Sequence, residues 1–441
     1  MQKRMISLFL LLIIFSVIFP GCDWNKNKTV SSEEKVHISF SFWESSLGTD
    51  TEIALSKIIE NYNQIHPEVE IELISRPVGG YQDWIKEQFA SNNAPTIIGN
   101  SPPSIMDYYK QGLTYDFNDV LNQKTPYSDC LWKELYVDRD FAEEWKGLAL
   151  PWYELGVAYF YNMDIYEQLG LSVPETWNDF MYNCEIIQKA GIAPITTMAQ
   201  KEDALVWLGW HIATGMLGDL EKDESAKNPD GTIKKELFLQ QKEIFWKELK
   251  RYVSFAPNAI QTDEAEAKEI FLAGDAAHIL TGSWDVKRLV KENGSKNRMG
   301  IFQLPVFTKE NSPYAGKNPF IGGPHALGLN RNITEEQKNA AIDFLQFFFS
   351  EEQYRIFIEQ TMQVPILKSF EIDEIYAPFF GDIRMVEGVI FTDRTLDVSY
   401  MLSILSGIEF DYRTEAEKCY ETYLEGKRRK DEENEKNTQN T

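Results

Sequence analysis

GLALPWYELGVAYFYNMDIYEQLGL, residues 147–171, changes character twice. Leu148 to Trp152 is an apolar approach containing Pro151, and the residue before a proline favours extended backbone. Val157 to Tyr161 (VAYFY) is a run of β-branched and aromatic residues, the composition of a buried strand. Asn162-Met163-Asp164 then opens a short helix, Ile165 to Leu169, which Gly170 stops. In the stretch Pro174-Glu175-Thr176-Trp177, Thr176 is placed to cap a second helix over Trp177 to Ala190. The chain leaves one compact unit, crosses by an extended segment carrying Trp152, Tyr153 and Glu154, and enters another. Exposed aromatics beside a carboxylate at such a crossing point to a ligand cleft.

Upstream, His37 to Trp43 (HISFSFW) alternates as a strand does. Leu55, Ile58, Ile59 and Tyr62 recur at helical spacing, and Val69 to Ile74 (VEIELI) alternates again. Strand, helix and strand within about forty residues predict a parallel βαβ unit. Tyr81 to Ala90 reads as an amphipathic helix and Thr96 to Gly99 as a short buried strand. Its end at Asn100 should share a sheet edge with Trp43 and Glu44, and open α/β sheets bind ligands beyond such carboxyl ends.

Downstream, helices are predicted over Ala204 to Ala213, Glu236 to Val253, Glu264 to Ala273 and Glu335 to Phe349. Strands are predicted over Ala193 to Met198, Ala276 to Leu280 and Ala326 to Leu329. Met299 to Pro305 (MGIFQLP) reads as a second candidate crossing. Gly426 to Thr441, charged and without an apolar side chain, reads as disordered.

The amino terminus reads as an export signal. Lys3 and Arg4 precede an apolar run, Met5 to Phe19, too short for a comfortable membrane span, and Gly21-Cys22 follows. A small residue before cysteine at that place resembles a lipoprotein signal, which implies a lipid on Cys22 and anchoring at the cell membrane outside the cytoplasm. Residues 23–35 read as a flexible tether. A formal net charge of -24 disfavours nucleic acid and anionic lipid as partners. Cys130, Cys184 and Cys419 are an odd, widely spaced set with no CxxC. They read as free thiols, with one bridge left open.

The run LALPWYELGVAYFYNMDIYEQLGLSVPETWNDF resembles the "glyP…lyYNkdlfeklGl.vPkTWdef" signature of bacterial extracellular solute-binding proteins, the sugar-binding branch serving ABC importers. IHPEVEIEL, FASNNAPTII, IFLAGDAAHILTGSW, MGIFQLP, GGPHALGL and QVPIL resemble its other blocks in the right order, with Thr96 where aspartate is common. The resemblance implies a two-lobed α/β fold of the type II periplasmic-binding-protein kind, closing about hinge crossings on a carbohydrate. It also implies an ABC permease as partner, no catalysis, no cofactor and a monomer. On this reading 1–22 is the signal peptide, 36–149 plus 301–331 form lobe 1, 150–300 plus 332–425 form lobe 2, and 426–441 is tail.

A sugar needs aromatic faces for its C–H groups and fixed polar groups for its hydroxyls. Candidate ligand-binding residues are Trp43, Glu44, Asn100, Trp152, Tyr153, Glu154, Trp207, Trp284, Asp285 and Gly323. Each has a bland alternative. A tryptophan at a strand end can close a core. Trp207 and Trp210 are three apart on a helix, so at least one reads as packing. Gly322-Gly323 can be a plain turn, His325 follows it, and Arg394 suits a surface ion pair. The rival reading is a membrane-anchored glycoside hydrolase, but nothing selects two among 68 Asp and Glu. HExxH, GxSxG and Walker A motifs are absent, and the five histidines lack metal-ligand spacing.

Overall fold

The computed structural model describes residues 35–44, 49–77, 80–136, 147–199, 202–217, 224–257, 259–292, 294, 297–311, 315, 319–380, 383–384 and 394–439. The expected signal peptide, Cys22 and nearly all of the tether lie outside these residues.

Alternation in β1 (Val36–Glu44) buries Ile38, Phe40 and Phe42. Over them lies α1 (Asp50–Ile65), whose buried stripe is Ala54, Leu55, Ile58, Ile59 and Tyr62 and whose first turn is capped by Thr49. β2 (Val69–Pro77) returns parallel to β1, as the βαβ pattern predicts. α2 (Tyr81–Ala90) leads to β3 (Ile97–Asn100), parallel to β1 on its other side. α3 (Pro102–Lys110), β4 (Thr114–Tyr115) and α4 (Asn118–Leu121) close this first stretch.

β5 (Leu150–Asn162) is the crossing. After it come α5 (Met163–Leu169), α6 (Trp177–Lys189), β6 (Ala193–Thr196), α7 (Glu202–Leu217), α8 (Lys235–Val253), α9 (Glu264–Ala273), β7 (Ala276–Gly282), β8 (Met299–Phe302) and β9 (Pro319–Phe320). The chain ends with β10 (Gly322–Asn330), α10 (Glu335–Phe348), α11 (Glu351–Thr361), β11 (Ile383–Arg384), α12 (Arg394–Leu405) and α13 (Tyr412–Gln439). A nine-stranded sheet runs β2-β1-β3-β10-β5-β7-β6, with β4 beside β10 and β8 beside β5.

β5 serves two bodies. Its first half, Leu150 to Gly156, pairs antiparallel with β10, and its second half, Val157 to Asn162, pairs with β7 and β8. One core gathers Phe40, Phe42, Leu55, Tyr62, Trp152, Phe344 and Phe357. The other gathers Tyr159, Trp177, Phe180, Trp246, Tyr252 and Phe307. In the second body Lys242 of α8 and Asp397 of α12, both buried, meet at 2.5 Å.

Three expectations are corrected. MGIFQLP is no crossing: Met299 to Phe302 pairs with Asn162 to Tyr159 inside the second body, and Leu304 and Phe307 join its core. The chain changes body instead between Ile321, in the second core, and β10, in the first sheet. Residues 332–367 do not join lobe 2, because Phe344, Phe348, Tyr354 and Phe357 pack on β1 and α1. Residues 426–439 are helical rather than disordered: α13 continues to Gln439, and this Glu- and Lys-rich part has high helix propensity. The three cysteines are free thiols.

The crossings converge at Gly156. It pairs with Gly322, and a Cβ placed on it would come within 2.5 Å of Phe379 Cβ and 2.9 Å of its carbonyl oxygen. Backbone cannot yield as a flexible side chain can. Gly156→Ala is therefore expected to cost about 1–3 kcal/mol, read as a lower urea midpoint. An unchanged midpoint would contradict this packing.

Candidate functional site

Register puts the carboxyl end of β1 in the middle of a row of candidate side chains. Trp43 pairs with Arg76 across β2, and the β1–β3 register (Ser41 with Ile98) carries Asn100 level with Trp43. Ala326 of β10 faces Asn100, and the preceding residue, His325, faces Tyr153 of β5. The shared edge expected for Trp43, Glu44 and Asn100 is thus present.

Trp43 is half-buried. Its ring lies 4.7 Å from His325 and edge-on to Tyr81 at 5.6 Å. Tyr81 meets Trp84 at 5.7 Å, and the Arg76 guanidinium sits 4.4 Å over the Trp84 ring. Tyr81 and Trp84 share a helical face because they are three apart, at the start of α2. This ladder escapes the sequence reading, although its signal was available: two aromatics at helical spacing directly after a glycine that follows a strand end.

Asn100 is fully buried and its amide is engaged by its own body. Its Oδ1 accepts from Gln82 Nε2 at 2.7 Å and from the Ser101 N–H at 2.7 Å. Its Nδ2 donates to Gln82 Oε1 at 3.2 Å and to the Tyr108 hydroxyl at 3.4 Å. Burial raises the Tyr108 phenol to about 12. Asn100 orients the half-buried Gln82.

Trp152, Tyr153 and Glu154 were expected to be exposed, and they are not. Trp152 is 0% exposed, stacked on Phe357 at 5.4 Å and tilted against Phe40 at 5.6 Å, while its indole N–H donates to His325 Nδ1 at 2.8 Å. It belongs to the first core. Tyr153 is also buried. Burial and the nearby Glu44 carboxylate raise its phenol well above the ordinary range. The Glu154 N–H donates to the Val364 carbonyl at 3.0 Å, fastening β5 to the returning chain.

The second body contributes Trp284 and Trp207, half-buried rings 5.2 Å apart. Trp284 lies directly over Gly282, where a Cβ would stand 2.1 Å from the indole. The next residue, Asp285, is another correction. It is buried with a partner on each oxygen, Lys268 Nζ at 2.7 Å and the Thr281 hydroxyl at 2.6 Å, so it holds the turn rather than facing a solute. Ser283 Oγ accepts the Gly156 N–H at 3.3 Å, which ties this turn to the crossing strand. Gly323, φ 152°, pairs with Leu155 between the two groups.

Along β5, Tyr153 marks the Trp43 group and Gly156 the Trp284 group. The two positions are three residue steps apart along the strand, about 10 Å of backbone. The bodies also touch through Lys287, whose Nζ donates to Asp50 Oδ1 at 2.8 Å and to the Gln360 carbonyl at 2.9 Å. Among the described residues no group of three or more His, Cys, Asp or Glu could hold a metal ion, and no helix is long and apolar enough to cross a membrane.

Residues 48–355 match the family model of bacterial extracellular solute-binding proteins. The chain belongs to that family. This solute-binding protein is 20% identical over 403 residues to the melibiose/raffinose/stachyose-binding protein MelE of Bacillus subtilis (strain 168), covering 87% of this chain and 86% of the relative. It is 27% identical over 174 residues to the multiple sugar-binding protein of Streptococcus mutans serotype c. That match spans 39% of this chain and only 38% of the relative's length. Among solved structures it resembles a chitin oligosaccharide binding protein (TM-score 0.69, 18% identity, 89% of this chain and 99% of that one). It also resembles RafE in complex with raffinose (TM-score 0.65, 17% identity, 89% and 100%). The fold is the two-lobed type II periplasmic-binding-protein architecture.

Proposed function

We propose that this solute-binding protein captures a carbohydrate, in particular an oligosaccharide, between its two bodies and delivers it unaltered to an ABC permease. The observation that carries the reading is the pair of aromatic groups with half-buried tryptophans, Trp43 and Trp84 about the buried Tyr81 on one side of β5 and Trp207 with Trp284 on the other. Flat C–H faces of pyranose rings suit such surfaces. Gln82 and Glu44 offer polar groups at the first group's rim. The names of these relatives, for melibiose, raffinose, stachyose and chitin oligosaccharides, agree with this class.

Capture needs no covalent step. A ligand touching both bodies shifts the population toward the form in which they close on it. Lys287, bonded to Asp50 and Gln360 of the opposite body, is placed to exchange partners as the bodies move. We read the protein as a monomer held outside the cytoplasm by a lipid on Cys22. We read it as a binding protein rather than a hydrolase, in line with the solute-binding family to which it belongs and its sugar-binding relatives.

Calorimetry with raffinose, stachyose, melibiose, maltose and chitin oligosaccharides tests the reading, with binding to at least one member expected. Trp284→Ala should weaken that binding about tenfold, the worth of roughly 55 Å² of apolar surface. Silence across the panel, with peptides or polyamines binding instead, would sink the ligand class.

A further inference from the structure

His325 is the one buried histidine that sits at the candidate site, and one of its ring nitrogens has no use inside the protein. Its Nδ1 accepts the Trp152 indole N–H at 2.8 Å. Trp152 has no other polar hydrogen to give and no lone pair to offer, so this bond fixes the tautomer: Nδ1 carries no proton and Nε2 carries one. His325 Nε2 is buried without a hydrogen-bond partner among the described residues. The residue is 1% exposed.

Two further observations direct that donor. The two ring nitrogens point in diverging directions, so an Nδ1 aimed at the Trp152 indole puts Nε2–H on the ring edge remote from that indole. Trp43, the half-buried aromatic of the first group, lies 4.7 Å from the same ring. Tyr153 flanks it at 5.2 Å. A register shift in β10 falls between His325 and Ala326, and such irregularities re-aim a side chain next to functional sites.

We propose that His325 is a specificity-determining ligand residue, its neutral Nε2–H donating one hydrogen bond to a hydroxyl, ring or glycosidic oxygen of the saccharide lying against Trp43. This rests on the carbohydrate reading above. Trp152 acts behind it as a positioning residue that sets the tautomer. A site built around a buried donor rejects ligands lacking an acceptor there, because the donor is then left unpaired.

His325→Phe keeps a ring and removes the donor, whereas His325→Gln keeps an N–H within similar reach. The glutamine carbonyl can accept the Trp152 N–H, which phenylalanine cannot, so the two are also compared in a Trp152→Phe background, where that difference disappears. Each variant is titrated with the panel saccharide that the wild type binds most tightly, and melting is recorded beside it. The Phe variant should bind at least tenfold more weakly than the Gln variant at comparable melting temperature. In the wild type, saturation with that saccharide should move the His325 Nε2 nitrogen resonance and leave Nδ1 in place. Equal affinities of the two variants, or an Nε2 resonance indifferent to the sugar, overturn the assignment while leaving the carbohydrate reading intact. A wild type that binds no panel member overturns both.

Discussion

Lowering the pH from 7 to 5 is expected to remove about 6 kcal/mol of folding stability, mostly through three histidines. His211, His278 and His325 are all at most 1% exposed, and burial pushes them down to about 4, about 4 and about 3. Their bonds show why the neutral ring is kept. His278 Nδ1 lies 2.7 Å from the Pro194 carbonyl, which only accepts, so its Nε2 takes the Tyr166 hydroxyl proton at 2.7 Å. His211 Nε2 donates to the Pro305 carbonyl at 3.1 Å, leaving Nδ1 bare in an apolar setting of Trp177, Tyr159 and Phe307. Adding a proton would break a bond at His278 and His325 and strand a charge at His211.

The sign follows from which state takes up protons. Folded pKa values lie below the unfolded value of roughly 6.5, so the unfolded chain binds protons first as pH falls. Stability is fully present above that value and is lost progressively from about pH 6.5 down to about 4. Each histidine contributes about 2 kcal/mol between pH 7 and pH 5. Carboxylates held low by partners, such as Asp164 bonded to Arg298, lose stability in the same direction at still lower pH. Urea unfolding at pH 7, 6 and 5 reads the slope directly. A free energy that stays level across that range would show that these rings accept protons in place.

Much of the fold is legible in the chain, and the reason is local. α2 and α9 run as the pattern predicts because apolar stripes meet punctuating glycines, Gly80 before one and Gly274 after the other. Partition between the bodies is not local. The stripe of Phe344, Phe348 and Phe357 announces a buried helical face, but nothing in its spacing says which core receives it. The same holds at the site. Trp284 follows a glycine whose missing Cβ makes room for it, a relation visible in GSW. Asp285 beside it looks equally available, and only the arrival of Lys268 from α9 commits it. Tyr81 and Trp84 look like ordinary helix packing until register places them beside Trp43.

Trp152→Ala is expected to cost about 3–5 kcal/mol of stability, in contrast to Trp284→Ala, whose main effect is on binding. A strand buried on both faces reads as continuous apolar sequence, so periodicity cannot tell which aromatics of LPWYELGVAYFYN face a ligand. Burial separates them. Trp152 is fully enclosed by Phe40, Phe42, Phe348 and Phe357, and truncation leaves a cavity among rigid rings that cannot collapse into it. The loss extends to chemistry, because without the indole N–H nothing holds the His325 proton on Nε2. Trp152→Phe isolates that second effect: it retains most of the packing and removes only the donor. Denaturant unfolding should therefore rank wild type above Phe above Ala, and saccharide affinity should already fall in the Phe variant. Should Trp152→Ala unfold at the wild-type midpoint, the indole is not the core element that its burial describes.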